Sequence, residues 1–194
     1  ARYCEQNPSV RAQIYKWWER GISDSMTGLY DNIFFKEQHR LMVRGAQRRM
    51  AEYEKDRLNY GERRKPNPPK PFSLTVYDLK LKIINDTYGH AEGDWTLQQT
   101  ADRMRGVYHR GGDIIARIGG DEFGVLQPDT DKRGSYVRAN HVQQLLLETK
   151  VKDEMPIRID YGTSTWKEGM TAEEMFSIAD TLMYEQKRQS GNNR

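Results

Sequence analysis

The order of strand-like and helix-like segments predicts an α+β domain with a ferredoxin-like, palm-type βαββαβ antiparallel sheet, flanking helices and an N-terminal helical extension. Apolar residues alternate along residues 72–78, which is typical of a half-buried strand. Residues 114–118 and 122–126 are short apolar runs separated by two glycines, and this pattern indicates a hairpin. Residues 156–163 form a fourth strand-like run. Segments with helical apolar spacing lie between the first strand and the hairpin and between the hairpin and the fourth strand.

The helix between the first strand and the hairpin is predicted from its apolar spacing. Leu97, Ala101 and Met104 recur every three or four positions and define one face. Gly89 and Gly93 precede this face, and we expect a break in the helix near each of them.

The last helix is predicted to begin at a capping box. Thr171 and Glu174 have the required spacing, since each side chain can bond to the other residue's backbone N–H. The core face of this helix is expected to consist of Met175, Ile178, Ala179 and Leu182. Residues 10–20 and 136–147 are also predicted to be helical, and another helix is expected to follow the turn at residues 24–29 and run toward Tyr60.

The positive charge is concentrated in one segment. The chain has 194 residues, of which 36% are hydrophobic and 30% are charged, and its formal net charge is +3. Residues 40–70 contain ten Lys or Arg and four Asp or Glu, so they carry +6 and the remainder carries −3. A solvated basic helix and linker explains this charge, and an attractor for nucleotides or nucleic acid is the alternative. Because no aromatic ladder accompanies the charge, no nucleic-acid partner is expected.

Composition also suggests how the chain is organised. We expect a helical connector at residues 1–23 and one domain at residues 24–194, with a basic, proline-rich insertion around residues 45–71. The single cysteine, Cys4, excludes a disulfide framework within one chain and fits a reducing compartment such as the cytoplasm. No apolar run is long enough to span a bilayer. Because the first residue is Ala rather than Met, a further segment with a sensor or a membrane anchor could precede it.

The hairpin carries the most informative residues of the chain. Gly119 and Gly120 allow a phosphate or ribose to approach the backbone, and Asp121 and Glu122 follow directly. Neighbouring strand side chains point to opposite faces, so one carboxylate can bind a divalent cation while the other faces a different part of the site. Nucleotidyl transfer needs this arrangement, because Mg²⁺ neutralises a triphosphate and favours formation of the attacking alkoxide. Taken alone, these four residues more often form only an exposed turn.

Together with its neighbouring motifs, the hairpin resembles the GGDEF family of diguanylate cyclases. Five blocks in the family's order carry the resemblance: DSMTGL at residues 24–29, KIINDTYGHAEGD at 82–94, Arg117-Ile118, GGDEF at 119–123, and Ala179-Asp180 with Tyr184 and Lys187. The order of five blocks is far more specific than any single motif. The resemblance implies a homodimer that joins two GTP into cyclic di-GMP and two pyrophosphates, with Mg²⁺ or Mn²⁺ as cofactor.

The resemblance implies roles for individual residues. Asp121 is expected to ligate the metal, and Glu122 to lie beside the reacting hydroxyl as a ligand or proton acceptor. Asn85 and Asp94 are expected to read the guanine edge. The remaining substrate contacts are expected from Lys82, Gly119, Gly120 and Lys187. The structural alternatives are helix caps for Asn85 and Asp94 and solvated side chains for the two lysines.

Arg110 and Asp113 lie just before the hairpin and match the family's RxxD product-inhibition site. The resemblance implies that cyclic di-GMP binds there and inhibits the enzyme. An Arg fork can clamp phosphate or guanine, and an Asp can read guanine. The alternative is a loop ion pair that contributes little to stability.

The chain departs from the family at the first metal-ligand position. The family's Asp stands eight positions before the helix asparagine, which gives Tyr77 here, and Asp78 is one place later. We favour a one-residue deletion between Asp78 and Lys82, which makes Asp78 the ligand. Otherwise the metal site is incomplete, because adjacent strand positions face opposite sides. A second departure is Asp160, which stands where the family usually has a serine.

Three functions are compatible with this sequence. The first is an active cytoplasmic cyclase, fused to an upstream sensory domain. The second is a degenerate GGDEF domain that senses cyclic di-GMP or GTP, and the third is a structural dimerisation unit. The intact Asp121-Glu122 pair favours the enzyme and Tyr77 favours the sensor, whereas the retained nucleotide-binding residues argue against the third function.

Overall fold

The computed structural model describes residues 21–60 and 67–189. The helix predicted at residues 10–20 and Cys4 lie outside the described residues, as does the connector predicted at residues 1–23 apart from residues 21–23. The elements in chain order are α1 (Asn32–Tyr60), β1 (Ser73–Leu79), α2 (Leu81–Tyr88), α3 (His90–Val107), β2 (Ile114–Arg117), β3 (Glu122–Gln127), α4 (Lys132–Glu148), β4 (Lys150–Val151), β5 (Met155–Pro156), β6 (Ile159–Thr165) and α5 (Ala172–Gln189). None of the helices in the described ranges has the length and apolar character needed to cross a membrane.

The predicted βαββαβ sheet is confirmed. Its four strands lie in the order β2-β3-β1-β6, and every neighbouring pair is antiparallel. The strand predicted at residues 156–163 is the one element that divides: β6 begins at Ile159, and Met155–Pro156 pairs instead with β4 in a separate two-stranded sheet. The two central strands, β1 and β3, are therefore flanked on both sides.

Helices pack on both faces of the sheet. Tyr77 and Leu79 belong to the cluster formed with α3 and α4. Leu74 and Val76 belong to the cluster formed with α1 and α5. Because side chains alternate along β1, the side chain of Asp78 points toward the face covered by α1 and α5.

The predicted helix breaks are half right. Gly89 separates α2 from α3 and has a φ of 90°, which glycine adopts without a steric penalty. Gly93 does not break the helix; it lies within α3 and is buried. Its role is steric, because a Cβ at Gly93 would lie 1.9 Å from Oδ1 of Asn85 on α2.

The capping box of α5 is confirmed, but half of its predicted core face is wrong. The Thr171 N–H donates to Glu174 Oε2 at 2.8 Å, and the Glu174 N–H donates to Thr171 Oγ1 at 3.1 Å. Ile178 and Leu182 are exposed, and α5 instead packs through a different set of residues. These buried residues are Ala172, Met175, Ala179 and Met183.

Close approach of the helix and strand backbones explains which face of α5 is buried. Gly162 of β6 lies directly beneath α5, where a Cβ would stand 1.9 Å from the carbonyl oxygen of Ala179. The helix backbone therefore lies against β6 at Ala179 and Met183, and Ile178 and Leu182 are exposed.

Candidate active site

Acidic side chains meet at one end of the central strands. Asp78 on β1 is paired in register with Glu122 on β3 and with Asp160 on β6. Residues paired in register project to the same face, so the three carboxylates all point toward α1 and α5. Tyr77 points the other way: it is fully buried, and its hydroxyl contacts the hydroxyl of Tyr108. The structure thus brings Asp78, and not Tyr77, to Glu122.

Two lysines partly neutralise these carboxylates. Lys187 Nζ on α5 donates to both oxygens of Asp78, at 3.0 Å and 2.9 Å. Lys80 Nζ lies 3.8 Å from Asp78 Oδ1 and forms an ion pair with Asp160. Neither Lys80 nor its pairing with Asp160 was recognised from the sequence, although the unusual Asp160 was a signal that a partner of opposite charge should be sought.

Negative charge still predominates around Glu122. Burial and the neighbouring carboxylates of Asp121, Asp78 and Asp180 raise the pKa of Glu122, while Lys187 opposes this shift. Such mutual repulsion is relieved when a divalent cation binds between carboxylate oxygens, and oxygen donors are the ligands that Mg²⁺ prefers.

The described side chains alone do not form a complete metal site at this end of the sheet. In residues 21–60 and 67–189 no three carboxylate, imidazole or thiolate side chains are already close enough to hold a metal ion. The Asp78 carboxylate is held by Lys187 instead. The donor set fits a hard cation that arrives with further oxygen ligands, such as those of a triphosphate.

The hairpin turn is held by an arginine. Arg117 donates to the carbonyl oxygen of Gly120 through Nε at 3.1 Å and through Nη2 at 2.6 Å. Its Nη1 also reaches Asp24 at 3.4 Å, and the Asp24 carboxylate accepts the N–H of Thr27 at 2.8 Å. The first block of the family resemblance and the hairpin are therefore parts of one structure, which the sequence blocks alone did not reveal.

The two hairpin glycines do not supply positive φ values, contrary to the usual reason for glycine in such turns. Neither Gly119 nor Gly120 is among the glycines with positive φ. At Gly119 the reason is close contact, because a Cβ would lie 2.6 Å from Oε2 of Glu122. At Gly120 a Cβ would meet nothing within 4 Å, so the backbone there is open to a ligand.

The predicted guanine-reading residues lie on two packed helices. Asn85 on α2 has a buried Oδ1 with no hydrogen-bond partner among the described residues. Asp94 is exposed and follows Gly93, the glycine against which the Asn85 amide packs. Because α3 begins at His90, Asp94 is not the N-cap of that helix, and the capping alternative for Asp94 is wrong. Lys82 is exposed on α2.

The predicted product-inhibition site contains a carboxylate that is already paired. The Asp113 side chain is 1% exposed and forms an ion pair with Arg138 of α4. Asp113 also accepts the backbone N–H of Arg110 at 3.2 Å, and the Arg110 side chain is exposed. Arg138 lies 4.6 Å above the ring of Tyr108 and was not identified from the sequence. Its place on α4, far along the chain from Asp113, gave no local signal.

The fold and this site define a palm-type α+β domain with paired carboxylates at the end of its central strands, which suits metal-assisted nucleotidyl transfer. The sequence profile of the family described as "Diguanylate cyclase, GGDEF domain" matches residues 22–193. The chain belongs to this family.

Several relatives and solved structures are similar to this chain. The probable diguanylate cyclase DgcT of Escherichia coli is 29% identical over 130 residues, 63% of this chain and 28% of its own length. Diguanylate cyclase A of Treponema denticola is 32% identical over 127 residues, 63% of this chain and 34% of its own. This chain therefore spans about a third or less of these curated relatives.

The similar solved structures support the same fold. A microbial GGDEF domain studied for its interaction with cyclic di-GMP is 26% identical, with a TM-score of 0.68 over 88% of this chain and 92% of that chain. The GGDEF domain of PA1120 from Pseudomonas aeruginosa is 27% identical, with a TM-score of 0.65 over 86% of this chain and 89% of that chain.

Proposed function

We propose that the chain is an active diguanylate cyclase that condenses two GTP into cyclic di-GMP in the cytoplasm. The observation that carries the proposal is the register of Asp78 opposite Glu122, with Lys187 in contact with Asp78. This arrangement supports the proposed one-residue deletion after β1, with Asp78 and Glu122 as the two carboxylates that a phosphoryl-transfer site of this class needs.

The proposed reaction is a nucleophilic displacement at phosphorus. The 3′-hydroxyl oxygen of one GTP bonds to the α-phosphorus of the other, and the bond to the β-phosphate oxygen breaks, so pyrophosphate leaves with the electron pair. The hydroxyl proton passes to the Glu122 carboxylate. Without a bound cation, burial and the neighbouring carboxylates raise the pKa of Glu122, and a divalent cation held beside it would lower that pKa again. In a second displacement the two nucleotides exchange roles. The remaining 3′-hydroxyl attacks the other α-phosphorus, a second pyrophosphate leaves, and the ring closes.

Mg²⁺ or Mn²⁺ would be held by Asp78, Asp121 and Glu122, and when bound it would neutralise the charge on the phosphates. Lys187 provides positive charge beside Asp78 and is positioned to pass from the carboxylate to a phosphate oxygen. Lys82 is a second, exposed cation, proposed to contact the triphosphate at its outer end.

Guanine recognition is proposed for Asn85 and Asp94. The buried, unpartnered Oδ1 of Asn85 would accept a hydrogen bond from the base, which removes the desolvation cost of leaving it unpaired. Asp94 accepts from the ring N–H and the exocyclic amine of guanine, and adenine has no matching donor pair.

The proposal includes partners beyond GTP. Because each domain holds one nucleotide, two copies must face each other for each product molecule, so a homodimer is required. Cyclic di-GMP is the proposed inhibitor at Arg110 and Asp113, and an upstream sensory domain is proposed to control how the two copies approach.

A sensor is the second candidate function. The Lys187–Asp78 ion pair favours it, because a carboxylate that stays paired with lysine does not ligate a metal. In that case nucleotide or cyclic di-GMP would bind without turnover.

Product analysis distinguishes the two functions. The purified chain is incubated with GTP and Mg²⁺, and we expect cyclic di-GMP and pyrophosphate in a ratio of one to two. Asp121→Asn and Glu122→Gln should each lower the rate by at least about 100-fold. Asp129→Asn removes a carboxylate of a surface ion pair at the other end of β3 and should leave the rate unchanged. Unchanged GTP, with tight binding of cyclic di-GMP, would reject the cyclase in favour of the sensor.

A further inference from the structure

A buried ion pair lies directly beside the proposed metal ligand Asp78. The side chains of Lys80 and Asp160 are 10% and 5% exposed, and they contact each other. A buried charge is costly unless it is paired, and this contact offsets part of that cost for both side chains. Lys80 Nζ is also 3.8 Å from Asp78 Oδ1, so a single ammonium lies between two carboxylates.

The backbone fixes Lys80 in this position. The N–H of Leu79 donates to the carbonyl oxygen of Asp121 at 2.9 Å, and the N–H of Lys80 donates to that of Arg158 at 3.0 Å. Lys80 immediately precedes α2, and the connection from β1 to that helix is one residue long. The side chain therefore starts from a backbone that is hydrogen-bonded to the residues immediately before β3 and β6.

Asp78 and Asp160 compete for the Lys80 ammonium. They are paired in register across β1 and β6, so both project to the same face, and Asp160 is the nearer partner of Lys80. If Asp160 lost its charge, the ammonium would move toward Asp78, which Lys187 already contacts. A carboxylate paired with two ammonium groups binds a divalent cation weakly.

We infer that Asp160 is a positioning residue that holds Lys80 away from Asp78 and so keeps a second ammonium, beside that of Lys187, from competing with a divalent cation for the Asp78 carboxylate. The inference rests on the proposed function, because it takes Asp78 as a metal ligand. It also explains why residue 160 is an aspartate, because a neutral side chain there would remove the nearest ion-pair partner of Lys80.

The test measures metal affinity directly. Mn²⁺ is titrated into the chain and followed by electron paramagnetic resonance, in the presence of a GTP analogue that cannot release pyrophosphate. The variants are Asp160→Asn, Lys80→Met and the double variant, with Asp129→Asn as the matched control at the Lys70–Asp129 surface pair.

The inference predicts an order of affinities. Asp160→Asn should bind Mn²⁺ about tenfold more weakly, since moving an ammonium about 1 Å closer to a carboxylate at an effective dielectric of about 20 has an effect of that size. Lys80→Met should bind Mn²⁺ as tightly as the unaltered chain or more tightly. The Mn²⁺ affinity of the double variant should be within about twofold of that of the unaltered chain. The Asp129→Asn control should be unchanged.

Several results would overturn the inference. Unaltered affinity in Asp160→Asn contradicts it, and so does weaker binding in Lys80→Met, since a purely structural pair would fail whichever partner was removed. If Asp160→Asn does not fold, Lys80→Met and the double variant still test the order. Failure of the proposed function looks different: Mn²⁺ and the analogue bind in the predicted order, but GTP is not converted to cyclic di-GMP. A chain that binds no Mn²⁺ with the analogue contradicts both.

Discussion

The contact between β6 and α5 predicts that Gly162→Ala is strongly destabilising. A Cβ at Gly162 would lie 1.9 Å from the Ala179 carbonyl oxygen and 2.5 Å from the Met183 nitrogen. Both are backbone atoms of α5, so no rotamer change can relieve the clash, and the helix must move by about 1 Å or more. Overpacking of a core costs about 1–3 kcal/mol, and a clash with backbone belongs at the upper end, so we expect a loss of about 3 kcal/mol in unfolding free energy.

Urea denaturation followed by circular dichroism measures this loss, and Gly106→Ala is the matched control. A Cβ at Gly106, within α3, would meet nothing within 4 Å. Alanine is the better helix former, so Gly106→Ala should be neutral or stabilising by up to about 1 kcal/mol. Gly162→Ala should also impair the site, because α5 carries Lys187 to Asp78. If Gly162→Ala unfolds at the same urea concentration as the unaltered chain, the packing of α5 on β6 described above is wrong.

Three further predictions concern pH, base recognition and inhibition. Burial lowers the pKa of His39 to about 4 from an ordinary value of 6.5, so the folded state loses stability as the pH falls from about 6.5 toward 4. His39→Leu should remove about 3 kcal/mol of the pH dependence of unfolding free energy between pH 7 and 4, and an unaltered dependence would contradict this. Asn85→Ala should raise the KM for GTP about tenfold or more with little effect on stability, which steady-state kinetics and thermal melting would check together. Arg110→Ala should raise the cyclic di-GMP concentration needed for half-inhibition by about tenfold, while Arg57→Ala on α1 should not, and equal inhibition in both variants would remove Arg110 from the inhibitory site.

The sheet was predictable from the sequence because its signals are local. Alternating apolar residues, two glycines between apolar runs and a capping box each act over a few residues, and each led to the correct element. The errors arose where tertiary contacts decide the outcome. Gly93 was predicted to break a helix, but its lack of a side chain makes room for Asn85. Ile178 and Leu182 have the spacing of a core face, but Gly162 selects the neighbouring face of α5.

The sequence indicated which residues form the candidate site, but it did not indicate which of their charges are paired. The sequence indicated Asp121, Glu122 and Lys187, and it favoured Asp78 over Tyr77 only if one residue is missing between Asp78 and Lys82. An unusual charged residue such as Asp160 indicates that a partner exists, but the sequence does not identify the partner, because paired residues are distant along the chain. The Lys80–Asp160 pair and the Arg138–Asp113 pair are both of this kind.

The direct test of the central claim compares two neighbouring substitutions on β1, Asp78→Asn and Tyr77→Phe. Asp78 lies opposite Glu122, whereas the Tyr77 hydroxyl is buried against Tyr108 on the other face. Cyclic di-GMP formation from GTP and Mg²⁺ is measured for both at saturating GTP. We expect Asp78→Asn to lose at least about 100-fold in kcat and Tyr77→Phe to keep kcat within a few fold, with a modest loss of stability from the missing hydroxyl contact. Full turnover in Asp78→Asn would contradict the account.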